Sequence, residues 1–360
     1  MNKIPLSRVF LNDEVREAVL RAVDSGSYIL GAECKAFEAE LARYVGMAHC
    51  VLSSSWTAAV SLLHEAMGLA PGDEVIVPSH TAFPSIEPLI HRGAKPVFVD
   101  VDKTYCLDPA AVEAAVTPRT VGIIPVHLYG HPADMDRIMA IGERHKLWVL
   151  EDCAQAHGAR YRDRPVGSIG TASAFSFYPS KNLTVLGDGG CVMTNDAQVA
   201  ERVRMLRNHG RKSKFTHDIV GYNQRFNEIQ AAAGRVMLRH LDELNTHRRR
   251  VAARYTERLA GVVETPEEQP WAQSVYHMYV IRHRDRDGLG AHLEENGIAT
   301  GIHYPVANHQ QPAVTDLYPD LPALPHTEAL VNEILSLPIY GELSLEDADR
   351  VCETIAAYRG

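Results

Sequence analysis

The sequence predicts an α/β fold on a mostly parallel sheet covered on both faces, and three observations carry that reading. Short apolar runs alternate with stretches of helical period along the first half of the chain. The runs are apolar at consecutive positions, as in strands buried on both sides. Glycine and proline punctuate the joins between them.

Taken in order, Val15, Val19, Ala22 and Val23 share a helical face that stops at Gly26. Cys34, Phe37, Leu41 and Tyr44 share another that ends at Gly46, and glycine is the favoured residue past a helix end. A third helix is expected over about 57–67, closed by Gly68. Pro71-Gly72-Asp73 then turns the chain into the run Val75-Ile76-Val77. Further buried strands are expected at 96–99, 121–124 and 147–150, separated by helices at about 84–91, 109–116 and 134–145. Asp108 before Pro109 has the form of an N-cap followed by proline at the first helical position. After about residue 235 the pattern becomes a long helix, about 228–260, and then a smaller mixed segment from Val275 on. The organisation expected is a large domain over 1–235 and a smaller one over 236–360, entered by that helix.

Composition excludes several classes. The 36 Lys and Arg against 45 Asp and Glu give a formal charge of −9, which argues against a protein that holds nucleic acid on a broad basic surface. The start has no apolar leader segment, and no stretch approaches the roughly 18 apolar residues of a spanning helix, so a cytoplasmic chain with no membrane partner is expected. Six scattered cysteines form no Cys-x-x-Cys pair and read as reduced, mostly buried thiols. No metal site is expected.

Open parallel sheets bind ligands beyond the carboxyl ends of their strands, so polar residues just after each strand are the places to look. Leu150-Glu151-Asp152 ends one expected strand in a carboxylate. Twenty-nine residues on, Lys181 follows Ala174-Phe175-Ser176, and Gly187-Asp188-Gly189-Gly190 leads into a last strand, Cys191-Val192-Met193-Thr194. Singly these read as a helix cap and a surface charge. Together they supply what pyridoxal phosphate (PLP) needs: an amine for the Schiff base, a carboxylate for the pyridine nitrogen, and hydroxyls near the phosphate.

From near the N-terminus to the last helix the sequence resembles the sugar aminotransferases of the DegT/DnrJ/EryC1/StrS family. The motifs that carry the resemblance include Pro71-Gly72-Asp73-Glu74-Val75-Ile76-Val77-Pro78, Pro125-Val126-His127-Leu128-Tyr129-Gly130, the Asp152 and Lys181 segments, Gly221-Tyr222-Asn223 and Gly301-Ile302-His303-Tyr304-Pro305. The resemblance implies a fold-type I PLP enzyme, with a smaller α+β C-terminal domain, working as a homodimer. It implies that Lys181 holds the cofactor and moves the proton, that Asp152 partners the pyridine nitrogen, and that Gln155 lies near the phenolic oxygen. Ser176 and the Ser55-Trp56 turn would hold the phosphate, with Asn223 contributed by the other subunit. His303, Tyr304 and Arg225 are further candidates for substrate contact.

Two departures stand out. Ser55-Trp56 replaces the family's common Gly-Thr, and Ala82 stands where many relatives stack an aromatic on the pyridine ring; Phe83, Trp56 and His80 are candidates to compensate. The activity implied is transfer of an amino group from glutamate or glutamine to a keto-sugar, most often nucleotide-linked. Aminocyclitol precursors and keto sugar acids are alternative acceptors. Sugar dehydratases of the family carry histidine at the position of Lys181, so lysine speaks against that reading, and a non-catalytic sensor is the alternative from another class.

Overall fold

A computed structural model describes residues 3–359. Two helices, α1 (Asp13–Asp24) and α2 (Ala32–Val45), precede the sheet. Strands and helices then alternate: β1 (His49–Ser53), α3 (Trp56–Ala66), β2 (Glu74–Pro78), α4 (Glu87–His91), β3 (Lys95–Val99), α5 (Pro109–Ala114), β4 (Thr120–Ile123), α6 (Met135–His145) and β5 (Trp148–Asp152). A small hairpin, β6 (Arg160–Tyr161) and β7 (Arg164–Pro165), leads to β8 (Ala172–Ser176), β9 (Gly190–Thr194) and α7 (Ala197–Leu206).

The central sheet has the order β1-β9-β8-β5-β4-β2-β3. The pairs β2/β3, β2/β4, β4/β5 and β5/β8 are parallel, and β9 runs antiparallel to both its neighbours. The expected runs therefore form strands. Every residue of β2, β8 and β9 is buried, which explains why their sequences do not alternate. One core packs Phe37, Ile76, Ile123, Phe175 and Phe177 on one side of the sheet, and a second packs Val51, Leu63, Val77, Leu150 and Val192 on the other.

Two differences between the expected and the observed elements lie close to the cavity edge of the sheet. β1 is not among the expected strands: its apolar run, Cys50-Val51-Leu52, lies between His49 and the serines that precede α3. The helix expected over 84–91 divides into a 3₁₀ turn, Phe83–Ser85, and the short α4, since Pro84 and Pro88 each remove an amide from a continuous ladder.

The long helix α8 (Glu228–Leu259) follows, and position 236 falls inside it. Beyond it come β10 (Ala272–Gln273), β11 (Tyr279–Arg282), α9 (Arg286–Glu295), α10 (Pro312–Thr315), α11 (Pro325–Leu330), β12 (Ile334–Leu337) and α12 (Leu345–Ala357). β11 and β12 pair antiparallel, and Tyr255, Leu259, Tyr279, Leu337, Val351 and Ile355 close a third core. Among the described residues no helix is long and apolar enough to cross a membrane.

Candidate active site

Topology brings the carboxyl ends of the parallel strands to one edge of the sheet. There Ser53 of β1, Gly190 of β9 and Ser176 of β8 stand opposite one another across three strands. Asp152 ends the neighbouring β5. A cavity of about 220 Å³ opens at this edge, lined by Ser55, Trp56, Asp152, Gln155, Ser176 and Lys181 among others. Six of the residues singled out from sequence thus meet in one place although they span 127 positions from Ser55 to Lys181 inclusive.

The helix start is built for an anion. Ser55 is the N-cap of α3, and its Oγ accepts from the amide of Ala58 at 3.0 Å. The first amides of a helix have no intrahelical acceptor, and the helix dipole adds to their pull on negative charge. Gly190 lets this turn sit on β9: a Cβ there would lie 2.6 Å from the Trp56 nitrogen and 2.7 Å from the Ser55 carbonyl carbon. Ser176 faces the same space. The arrangement fits a phosphate group held by backbone amides.

Asp152 is buried, accepting from Ser85 Oγ at 2.8 Å and from the Ala154 amide at 3.0 Å. Burial pushes its carboxyl up, while the Ala154 amide, the Ser85 hydroxyl and Lys181 pull the other way. Burial likewise lowers the Lys181 amine to about 8, with Asp152 opposing. Gln155 is fixed at both ends of its amide. Its Oε1 accepts from the Tyr129 amide at 2.7 Å, and its Nε2 donates to Tyr304 Oη at 3.1 Å. Tyr304 therefore reaches the site through Gln155 rather than by lining the cavity.

Other sequence candidates lie outside that cavity. His303 pairs through Nδ1 with Ser336 Oγ at 2.9 Å and lines a neighbouring smaller cavity with Ser180 and His277. Asn223 is exposed, next to Gln224, whose side chain accepts from Ser54 Oγ at 2.5 Å. Arg225 extends toward Asn208 Oδ1, 3.5 Å away. The neighbouring Arg207 is committed to Glu38 and the Leu52 carbonyl.

Ala82 lines the cavity, and of the three rings weighed as compensation only Trp56 does so too. Trp56 also donates from Nε1 to the Ala174 carbonyl at 3.3 Å. Phe83 packs against the second core. His80 lies 2.7 Å through Nε2 from Tyr129 Oη. That phenol spends its proton on the His303 carbonyl, so the His80 nitrogen is the donor.

Sequence reading did not single out Ser85, Tyr129, Tyr178 or Asp188. Tyr129 and Asp188 sit inside quoted motifs and Tyr178 between Ser176 and Lys181, whereas the bond from Ser85 to Asp152 spans 67 positions and leaves no local signal. Among the described residues, His127, Glu151 and Cys153 cluster closely enough to suggest metal ligands. His127 Nε2 is already on Glu151, whose carboxylate also takes the amides of Gly167, Ile169 and Gly170, and His127 Nδ1 accepts from Ala133. These groups satisfy one another.

Comparison with known proteins follows the same line. The model of the DegT/DnrJ/EryC1/StrS aminotransferase family matches residues 10–356. The chain is 48 % identical over 350 residues to the erythromycin biosynthesis sensory transduction protein EryC1 of Saccharopolyspora erythraea, covering 96 % of each chain. It is 45 % identical over 348 residues to the dTDP-3-amino-3,4,6-trideoxy-α-D-glucose transaminase of Streptomyces venezuelae, covering 96 % of this chain and 92 % of that one. Among solved structures, S. venezuelae DesV in complex with a ketimine intermediate superposes with a TM-score of 0.95 at 43 % identity, over 99 % of this chain and 98 % of that one. NtdA of Bacillus subtilis, solved with bound cofactor PMP, gives 0.92 at 33 %, over 99 % and 85 %. An amine, a buried carboxylate and the amides of a helix start around one cavity are the parts a PLP enzyme requires, and the chain belongs to the DegT/DnrJ/EryC1/StrS family of PLP-dependent sugar aminotransferases.

Proposed function

We propose that the protein transfers the amino group of glutamate, with glutamine as the alternative donor, to a ketone of a nucleotide-linked deoxysugar. The observation that carries this reading is the meeting of Lys181, Asp152, Gln155 and the start of α3 around one cavity. The nucleotide-linked acceptor rests on relatives named for dTDP- and UDP-sugars.

Bound PLP supplies an electron sink for the carbon that loses its proton. The chain supplies the rest. The amides at the start of α3 and the Ser176 hydroxyl bind the phosphate and set the depth of entry. Asp152 offers a buried carboxylate that would face the pyridine nitrogen and hold a proton there by charge. Gln155, pinned by Tyr129 and Tyr304, would lie near the phenolic oxygen. Lys181 would hold the cofactor and, once free, carry the proton, a task suited to an amine lowered to about 8.

The exposed position of Asn223 fits a residue that reaches the cavity of a second subunit in a cytoplasmic homodimer. Exposure to glutamate should convert the yellow protein to its pyridoxamine form, and a dTDP- or UDP-linked keto-sugar should then restore the original spectrum. Restoration only by a keto sugar acid or a cyclitol ketone would favour the alternative acceptors. A spectrum unmoved by every common amino acid would favour the sensor reading.

A further inference from the structure

Two asparagines outside the cavity, Asn182 half-buried and Asn245 buried, tie the loop of Lys181 to the loop of Asp152. Asn182, the residue after Lys181, donates from Nδ2 to Asn245 Oδ1 at 2.8 Å and to the Val275 carbonyl at 3.1 Å; its Oδ1 lies 3.1 Å from His277 Nδ1. Asn245, on α8 and 1 % exposed, donates in turn to the His157 carbonyl at 2.8 Å. His157 lies two residues past Gln155 and five past Asp152.

The bonding pattern permits one orientation. A carbonyl can only accept, so the Nδ2 groups of both asparagines must face Val275 and His157, and each Oδ1 then has its own donor. His277 must carry its proton on Nδ1, which leaves its buried Nε2 without a partner. Gly158 makes room for the approach: a Cβ there would stand 2.7 Å from Asn245 Nδ2. One turn along α8, Arg248 donates to the carbonyls of Tyr276, His277 and Ile339, which holds the segment receiving Asn182.

We infer that Asn182 and Asn245 are a positioning pair that fixes the Lys181 loop against the Asp152–His157 loop. The inference rests on the proposed role of Lys181. Lysine has a long side chain that must reach one partner and then another, so the fixed point is its backbone. Lys181 is held there by its own amide on the Tyr178 carbonyl at 2.8 Å and, one residue on, by the Asn182 amide. A displacement of about 1 Å between reacting groups is enough to cost roughly 10²-fold in rate.

The test uses loaded protein with Asn182→Ala, Asn245→Ala and the double substitution. Tyr255→Phe, which removes a buried bond to the Pro338 carbonyl in the third core, serves as a control for lost stability. Each single variant should retain bound cofactor, shift the pH midpoint of its visible absorption, and slow the single-turnover conversion by saturating glutamate about 10- to 100-fold. Because the pair acts as one device, the double variant should be no more than about threefold slower than the worse single. Tyr255→Phe should lower Tm and leave midpoint and rate unchanged. Asn245→Asp, nearly the same shape but without the donor to His157, keeps the test readable if alanine at 245 does not fold. Independent multiplying effects, or a fall in Tm with rate and midpoint unmoved, would overturn the inference. Lys181→Ala run alongside separates the two levels: if that variant still converts, the reading of Lys181 itself fails.

Discussion

The lowered pKa of Lys181 makes capture of PLP by the cofactor-stripped protein a direct report on the site. Only a neutral amine attacks the aldehyde. Burial takes this amine from 10.5 to about 8. At that value about one amine in eleven is neutral at pH 7 and about ten in eleven at pH 9, so capture should rise roughly tenfold over the interval and then level. An ordinary lysine would gain about a hundredfold across the same interval and keep rising. Stopped-flow absorbance at excess PLP measures the rate, with N-acetyl-lysine run in parallel to remove the titration of PLP itself. Asp152→Asn supplies the sign. The carboxylate opposes the loss of the proton from Lys181, so its removal should move the midpoint to lower pH. A hundredfold rise without a plateau by pH 9, or a midpoint that climbs in Asp152→Asn, would refute the argument.

Gly190→Ala should force the start of α3 away from β9, because the added carbon would meet backbone atoms at 2.6 and 2.7 Å. Overpacking of this kind costs about 1–3 kcal/mol, and equilibrium titration with PLP should show weakened binding beside a lowered Tm. Glu228 anchors the start of α2: its carboxylate takes the amides of Gly31, Glu33 and Cys34 at 2.7, 2.8 and 2.9 Å. Burial pushes its pKa up, but these bonds outweigh burial and hold it below the ordinary 4.5. A carboxyl depressed in the folded state stabilises above its unfolded pKa and loses that contribution as pH falls through the folded value. Glu228→Gln should therefore cost about 1.5–3 kcal/mol in urea unfolding at pH 7, and the gap to wild type should shrink on acidification below about 4.5.

The parallel sheet was legible because buried strands write themselves as unbroken apolar runs, and the Asp152 and Lys181 positions because strand ends in open sheets face a ligand. Gln155, Ser176 and the Ser55-Trp56 turn were legible through motif resemblance. What escaped depends on contacts remote in sequence. Ser85 matters through a bond to Asp152 that spans 67 positions, and Asn245 through one to His157 that spans 88. The motif marks Tyr304 as a candidate for substrate contact; the structure shows it pinning the Gln155 amide from 149 positions away. Periodicity cannot distinguish a buried asparagine that clamps a loop from a polar residue on a helix face. The partner at the far end of the bond makes that distinction, and only the fold supplies it.

Everything proposed for the site depends on Lys181 holding the cofactor. Borohydride reduction of the loaded protein, followed by digestion and peptide mass spectrometry, tests it most directly. The peptide containing Lys181 should carry a phosphopyridoxyl label, and that label should be lost in Lys181→Ala. A label on another lysine of the wild-type protein, or one that persists in full in the variant, would contradict it.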